Sequence, residues 1–188
     1  MIKPWPQLDS TLLGDFKVFQ VRKDLKQSPR TGRQHEFYVL DTVDWVNVIA
    51  LTPDQQIVLV EQYRHGANTV ELEIPGGVMD VPGETPSATA IRGLREETGY
   101  AGEHPQVIGT LLPNAAIQSN CCHTVLIEDC RLVHPVHFDH SEDIVTRLVP
   151  VEAIPELVAS GRIRHCIVVA ALYRFELWRR GLIPPQTA

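Results

Sequence analysis

GGVMDVPGETPSATAIRGLREETGY, residues 76–100, is the stretch whose reading decides the fold of this 188-residue chain. It begins as a glycine turn and becomes an amphipathic helix. Pro86 suits a first helical position, where a missing N–H costs nothing. Ala88, Ile91, Leu94 and the stem of Arg95 recur at helical spacing, and Gly99 supplies the C-terminal stop. The helix ends in Arg92, Glu96, Glu97 and Gly99. Adjacent carboxylates beside a turn rich in backbone carbonyls suit a hard cation held against a phosphate.

Outward from this segment the pattern alternates between strand and helix. Residues 16–24 and 36–43 read as strands around the turn SPRTGRQ at 28–34, forming an N-terminal hairpin. Val46–Leu51 and Ile57–Gln62 form a second pair, and Val70–Ile74 leads into the glycine turn. Strands are expected at 106–112, 123–128 and 144–149. A short helix is expected near 155–160 and a longer one from His165 to Arg180, with Ile167, Ala171, Leu172, Phe175 and Trp178 as its apolar face. This order implies an α/β fold with helices on a mixed sheet, not a regular βαβ array.

Composition narrows the function classes. The chain is 44% hydrophobic and 21% charged, with a net charge of -6. It has no dense Lys/Arg run, which argues against a nucleic-acid or anionic-membrane surface. No apolar window reads as a signal peptide or a membrane span. Cys121, Cys122, Cys130 and Cys166 form no CxxC pair and two are vicinal, so a reduced, cytoplasmic protein is expected. Neither vicinal cysteine has an evident base partner, which favours packing over nucleophilic catalysis. His134, His137 and His140 stand three apart, but Pro135 discourages the helix that would align them on zinc; a polar loop is the favoured reading.

The spacing of Glu84, Arg92, Leu94, Glu96, Glu97, Gly99 and Tyr100 resembles the signature of the Nudix hydrolases, which cleave nucleoside diphosphates linked to another moiety. Two departures stand out. Six residues separate Gly77 from Glu84 where the family has five. Gly93 stands where the family has a glutamate that binds metal and, in some members, acts as the base. A helical glycine costs about 1 kcal/mol relative to alanine, so helix stability does not explain it.

The flanks WVNVIAL (45–51), VLVEQYRHG (58–66), ELEIPGG (71–77) and LLPNAAIQSNCCHT (111–124) resemble the ADP-ribose and nucleotide-sugar pyrophosphatase branch. The resemblance implies an α/β/α sandwich with a mixed sheet at 44–188 and an N-terminal β extension at 1–43, exchanged between subunits of a homodimer. It implies Mg²⁺ or Mn²⁺ as cofactor and a nucleoside-diphosphate-linked small molecule as substrate. Glu96, Glu97 and a carbonyl at Gly76 or Gly77 would hold metal, Arg64 would bind phosphate, and Glu73 would anchor substrate or serve as a buried hydrogen-bonding group. Glu142, in the loop HSEDIV, would position or deprotonate the attacking water in place of the missing carboxylate. The rival expectation is a Nudix-fold nucleotide-binding module whose catalysis is impaired by Gly93. Hydrolysis of oxidised nucleoside triphosphates fits the flanks less well.

Overall fold

A computed structural model describes residues 1–136 and 143–183. The chain divides into two compact units, Met1–Val43 with Leu112–Cys121 and Asp44–Leu111 with Cys122–Ala188.

The first unit is an antiparallel sheet of β1 (Gln7–Asp15), β2 (Gln20–Gln27) and β3 (Gln34–Asp41), in that order. The expected hairpin is therefore a three-stranded sheet, and its first strand was not foreseen. Gln7–Asp15 lacks apolar alternation, with Leu12 and Leu13 adjacent, so it carries no strand period. The expected strand at 16–24 starts later because Phe16–Phe19 closes a tight turn. There the Phe16 N–H donates to Phe19 O at 2.9 Å and Lys17 takes a left-handed φ of 70°. The Leu40 N–H donates to Ile117 O at 2.7 Å, binding the 112–121 segment to β3. The unit has no apolar core among the described residues: its buried side chains are Asp24, Ser28 and Asn120. Asp24 is held there by Ser10 Oγ at 2.7 Å and by Arg22 Nη1 at 3.1 Å.

The second unit is an α/β/α sandwich. One sheet runs β7 (Gly76–Val78), β4 (Trp45–Ala50), β9 (Cys122–Leu132), β8 (Tyr100–Leu111). In it β4 and β9 are parallel and the other neighbours antiparallel, so the sheet is mixed. A second, antiparallel sheet runs β10 (Ile144–Pro150), β5 (Gln56–Arg64), β6 (Thr69–Glu73). Strand β4 is covered on both faces, which is why WVNVIA reads as one nearly continuous apolar run. Val46, Val48 and Ala50 meet Ala90 and Leu94 of α1 (Pro86–Thr98). Ile49 faces the cluster built with Val168, Ala171, Leu172 and Phe175 of α3 (Cys166–Arg179), and the short α2 (Ile154–Ala159) adds Ile154. Each fully buried aliphatic side chain contributes about 1.5–3 kcal/mol relative to exposure.

Helix α1 begins and ends where its sequence signals stand. Thr85 Oγ1 accepts the Ala88 N–H at 3.2 Å, Pro86 occupies the first turn, and Gly99 closes the helix at φ 73° with its N–H on Arg95 O at 2.9 Å. Strand β8 starts at Tyr100, six residues before the expected 106, because Gly-Glu-His-Pro forms irregularities within the strand and not a loop. Among the described residues no helix is long and apolar enough to cross a membrane.

Candidate functional site

The site starts where α1 meets the glycine turn. Strand β7 pairs with β4 through Asn47↔Gly76, which fixes the turn against the central sheet. On the helix side Gly93 is buried. A Cβ built at Gly93 would overlap the Gly76 carbonyl oxygen far inside 3.0 Å and would lie 3.2 Å from its carbonyl carbon. The backbone oxygen thus occupies the space through which a side chain at 93 would leave the helix. From the other side, the Gly76 N–H donates a long hydrogen bond to Glu97 Oε2 at 3.4 Å. The glycine is a requirement of close approach.

The turn has a second tie to the helix. Arg92 Nε donates to Glu84 Oε1 at 3.1 Å and Nη2 to Glu84 Oε2 at 2.9 Å, while Nη2 also reaches Val78 O at 3.2 Å. Thr89 Oγ1 donates to Glu84 Oε2 at 2.9 Å. Hydrogen bonding from Arg92, then from Thr89, holds the Glu84 carboxyl below the usual carboxylate range against the opposing effect of burial. Glu84 and Arg92 therefore pin the turn to the helix. Arg92 Nη1 also lies 3.5 Å from Glu96 Oε2, across one helical turn.

A second network sits at the end of β6. Glu73 is 1% exposed. Arg64, at the end of β5, grips it with Nε on Oε1 at 2.9 Å and Nη2 on Oε2 at 2.7 Å. His165, immediately before α3, places Nδ1 3.0 Å from the same Oε2. Burial alone would raise the Glu73 pKa, but the hydrogen bonds from Arg64 and His165 outweigh it and bring it down to about 2. Arg64 is raised in turn, chiefly by its hydrogen bonds to Glu73. Two positions away, Glu71 is held by Arg164 Nε at 3.0 Å and accepts Thr69 Oγ1 at 2.5 Å, which also brings its pKa to about 2.

These networks line two adjoining cavities that share Gln62, Arg64, Glu73 and His165. The first, about 810 Å³, carries Gly76, Gly77, Gly93, Glu96 and Glu97. The second, about 1000 Å³, carries Tyr63, His65, Glu71, Asp143 and Arg164. Glu96, Glu97, Arg64, Glu73 and Gly76 thus border one cleft. One edge of the Arg64 fork, Nε and Nη2, is taken by Glu73. Glu142, His137 and His140 lie outside the described residues, and His134 follows β9. Among the described residues no three His, Cys, Asp or Glu side chains cluster to hold a metal ion. Glu96 and Glu97 remain as a two-carboxylate set, which suits a Mg²⁺-like ion that keeps water and shares phosphate oxygens with a substrate. Cys130 is excluded as a nucleophile because burial pushes its thiol up to about 12.

His165 and Arg164 escaped the sequence reading. They lie more than 90 residues from Glu73 and Glu71, and only the tertiary fold brings them together.

A model of the NUDIX domain matches residues 41–167. An ADP-ribose pyrophosphatase of Mycobacterium tuberculosis is 27% identical over 180 residues, covering 95% of this chain and 86% of that protein. An ADP-sugar pyrophosphatase of Mus musculus is 28% identical over 144 residues, covering 73% and 66%. A crystal structure of an ADP compounds hydrolase superposes with a TM-score of 0.85 at 20% identity, covering 96% of this chain and 97% of that one.

Two outcomes follow from the geometry. At an open helical position Gly→Ala would gain about 1 kcal/mol. Gly93→Ala is expected to lose about 1–3 kcal/mol instead, because backbone must move to admit the methyl group; Gly93→Glu should lose stability too and gain no activity. Urea unfolding of both variants checks this, and a more stable Gly93→Ala would contradict the close approach. For Glu73, the folded carboxyl binds its proton less readily than the unfolded one. Its stabilisation is therefore complete above the ordinary pKa of 4.5 and drains away as pH falls toward about 2. Glu73→Gln should cost about 3 kcal/mol at pH 7, where it leaves Arg64 without its counter-charge. The gap from the native protein should narrow below pH 4.5, as read by denaturant titrations from pH 7 to 3.

Proposed function

We infer from the chain's place in the Nudix family, to which it belongs across residues 41–167, that it hydrolyses the diphosphate bridge of ADP-ribose or a related nucleotide sugar. The chain is a pyrophosphatase: water adds across one P–O bond of the anhydride and yields a nucleoside monophosphate and a sugar phosphate. The observation that carries the reading is a single cleft bordered both by the carboxylates Glu96 and Glu97 and by the Arg64–Glu73 pair. The names of the Mycobacterium tuberculosis and Mus musculus relatives support the choice of substrate.

Nudix hydrolases generally need divalent metal ions. In this chain Glu96, Glu97 and the Gly76 carbonyl would hold Mg²⁺ or Mn²⁺, which would neutralise charge on the phosphoryl oxygens. Arg64 contributes a fixed positive charge to the cleft, and its Nη1 makes no hydrogen bond among the described residues. Glu73 serves substrate binding through Arg64, as the anion that orients the guanidinium. Glu142 is assigned the attacking water. The second reading, a nucleotide-binding module with little catalysis, is favoured by Gly93, which leaves α1 one carboxylate short of the family pattern.

Incubation with ADP-ribose and a panel of ADP- and UDP-sugars, with Mg²⁺ or Mn²⁺, is expected to release the two monophosphates. Glu97→Gln should lower kcat about 100-fold or more. Folded protein that turns over none of the panel but binds it would establish the second reading.

We also propose that the chain works as a homodimer. Leu12, Leu13, Phe16, Val18 and Tyr38 of the first unit are each at least 52% exposed, in a sheet with no apolar core among the described residues. That is more apolar surface than a stable small sheet leaves to water. Sedimentation at micromolar concentration should give about twice the chain mass of 21.1 kDa; a monomer would sink the proposal.

A further inference from the structure

We propose that His165 is a specificity-determining substrate contact, accepting a hydrogen bond from a hydroxyl of the moiety joined to the diphosphate. This rests on the pyrophosphatase reading above and deepens it.

The inference begins with Glu73. Its carboxyl is buried, and Arg64 and His165 both approach its Oε2, at 2.7 and 3.0 Å. An ionised carboxylate only accepts hydrogen bonds. The hydrogen between His165 and Glu73 therefore belongs to Nδ1, and Glu73 fixes both the tautomer and the plane of the ring. Whenever the ring is neutral, the tautomer so fixed leaves the lone pair on Nε2.

Nε2 makes no hydrogen bond among the described residues, and the His165 side chain is 35% exposed where the two cavities join. Nor does the ring serve its own helix, since at the N-cap of α3 the His165 side chain makes no capping hydrogen bond. Arg64 and His165 thus converge on one oxygen and keep complementary unspent atoms. Arg64 Nη1 can only donate, which suits a phosphoryl oxygen. His165 Nε2, in the neutral ring, accepts, and so takes a donor on the ligand. A diphosphate offers no donor once ionised, whereas a sugar hydroxyl next to it does. The pair together recognises a phosphoryl group and the hydroxyl-bearing group attached to it.

Two variants separate contact from scaffolding. His165→Asn keeps an amide N–H at the depth of Nδ1 for Glu73 but falls short of Nε2. His165→Gln carries an amide, with its acceptor oxygen, to the depth of Nε2. The readout is the ratio of kcat/KM for ADP-ribose to that for the β-methyl ester of ADP, which retains a doubly esterified diphosphate and lacks the second sugar's hydroxyls. The native protein should favour ADP-ribose. His165→Asn should reduce that ratio about tenfold with little change in thermal midpoint, and His165→Gln should recover part of it. An equal loss for both substrates, or an unchanged ratio in His165→Asn, overturns the inference while leaving the pyrophosphatase reading intact. Native protein that hydrolyses neither compound overturns both.

Discussion

The Gly76 peptide is clasped between the central sheet and helix α1, and the arrangement of the cleft depends on that clasp. Its oxygen lies against the backbone at Gly93, its N–H points to Glu97, and its strand pairs with β4. Gly93 determines how near the helix can come to the turn. A wider spacing would carry Glu97 away from the Gly76 N–H and from the turn that β7 pins to β4. Position 93 has been given over to backbone, and an oxygen of the turn stands where the stem of a side chain would begin.

Glu73 poses the opposite problem, a charge placed where burial disfavours it. Desolvation of a carboxylate costs several kcal/mol and is offset only when both oxygens are well hydrogen-bonded. Arg64 and His165 satisfy that condition, and each comes from a different element than Glu73 itself. The resulting network ties the end of β5, the end of β6 and the start of α3 at one point. Such a network is weak as a source of net stability but strong in fixing orientation, because every member has lost its alternatives. Glu84 and Arg92 do the same for the turn, with Thr89 as the third partner.

Helix α1 was legible in the sequence because its signals are local: a proline in the first turn and a glycine at the stop both lie within the segment they bound. Strand β4 was legible for a related reason, since burial on both faces writes an unbroken apolar run. Strand β1 was not, because its side chains are mostly exposed and no core imposes a period on them. The start of β8 was missed where Gly102 and Pro105 imitate a loop inside a bulged strand. Among the residues that border the cleft, Glu96 and Glu97 could be named from spacing. The reason for Gly93 could not, because it lies in the Gly76 carbonyl 17 positions earlier in the chain. His165 had no local signature, as a histidine before an apolar helix reads as solvated until Glu73 is seen beside it.

The division of acids within the cleft has a chemical consequence. Glu71 and Glu73 are each neutralised by an arginine and held near pKa 2, so they remain anionic yet have little capacity left for a cation. Glu96 and Glu97 stand on the wall formed by α1, where Arg92 approaches Glu96 at 3.5 Å and the Gly76 N–H reaches Glu97 at 3.4 Å. In the proposed function a cation held by Glu96 and Glu97 would leave the other side of the diphosphate toward Arg64 and His165. That orientation would depend on the acids on β6 staying occupied, which is the part that Arg64, Arg164 and His165 perform.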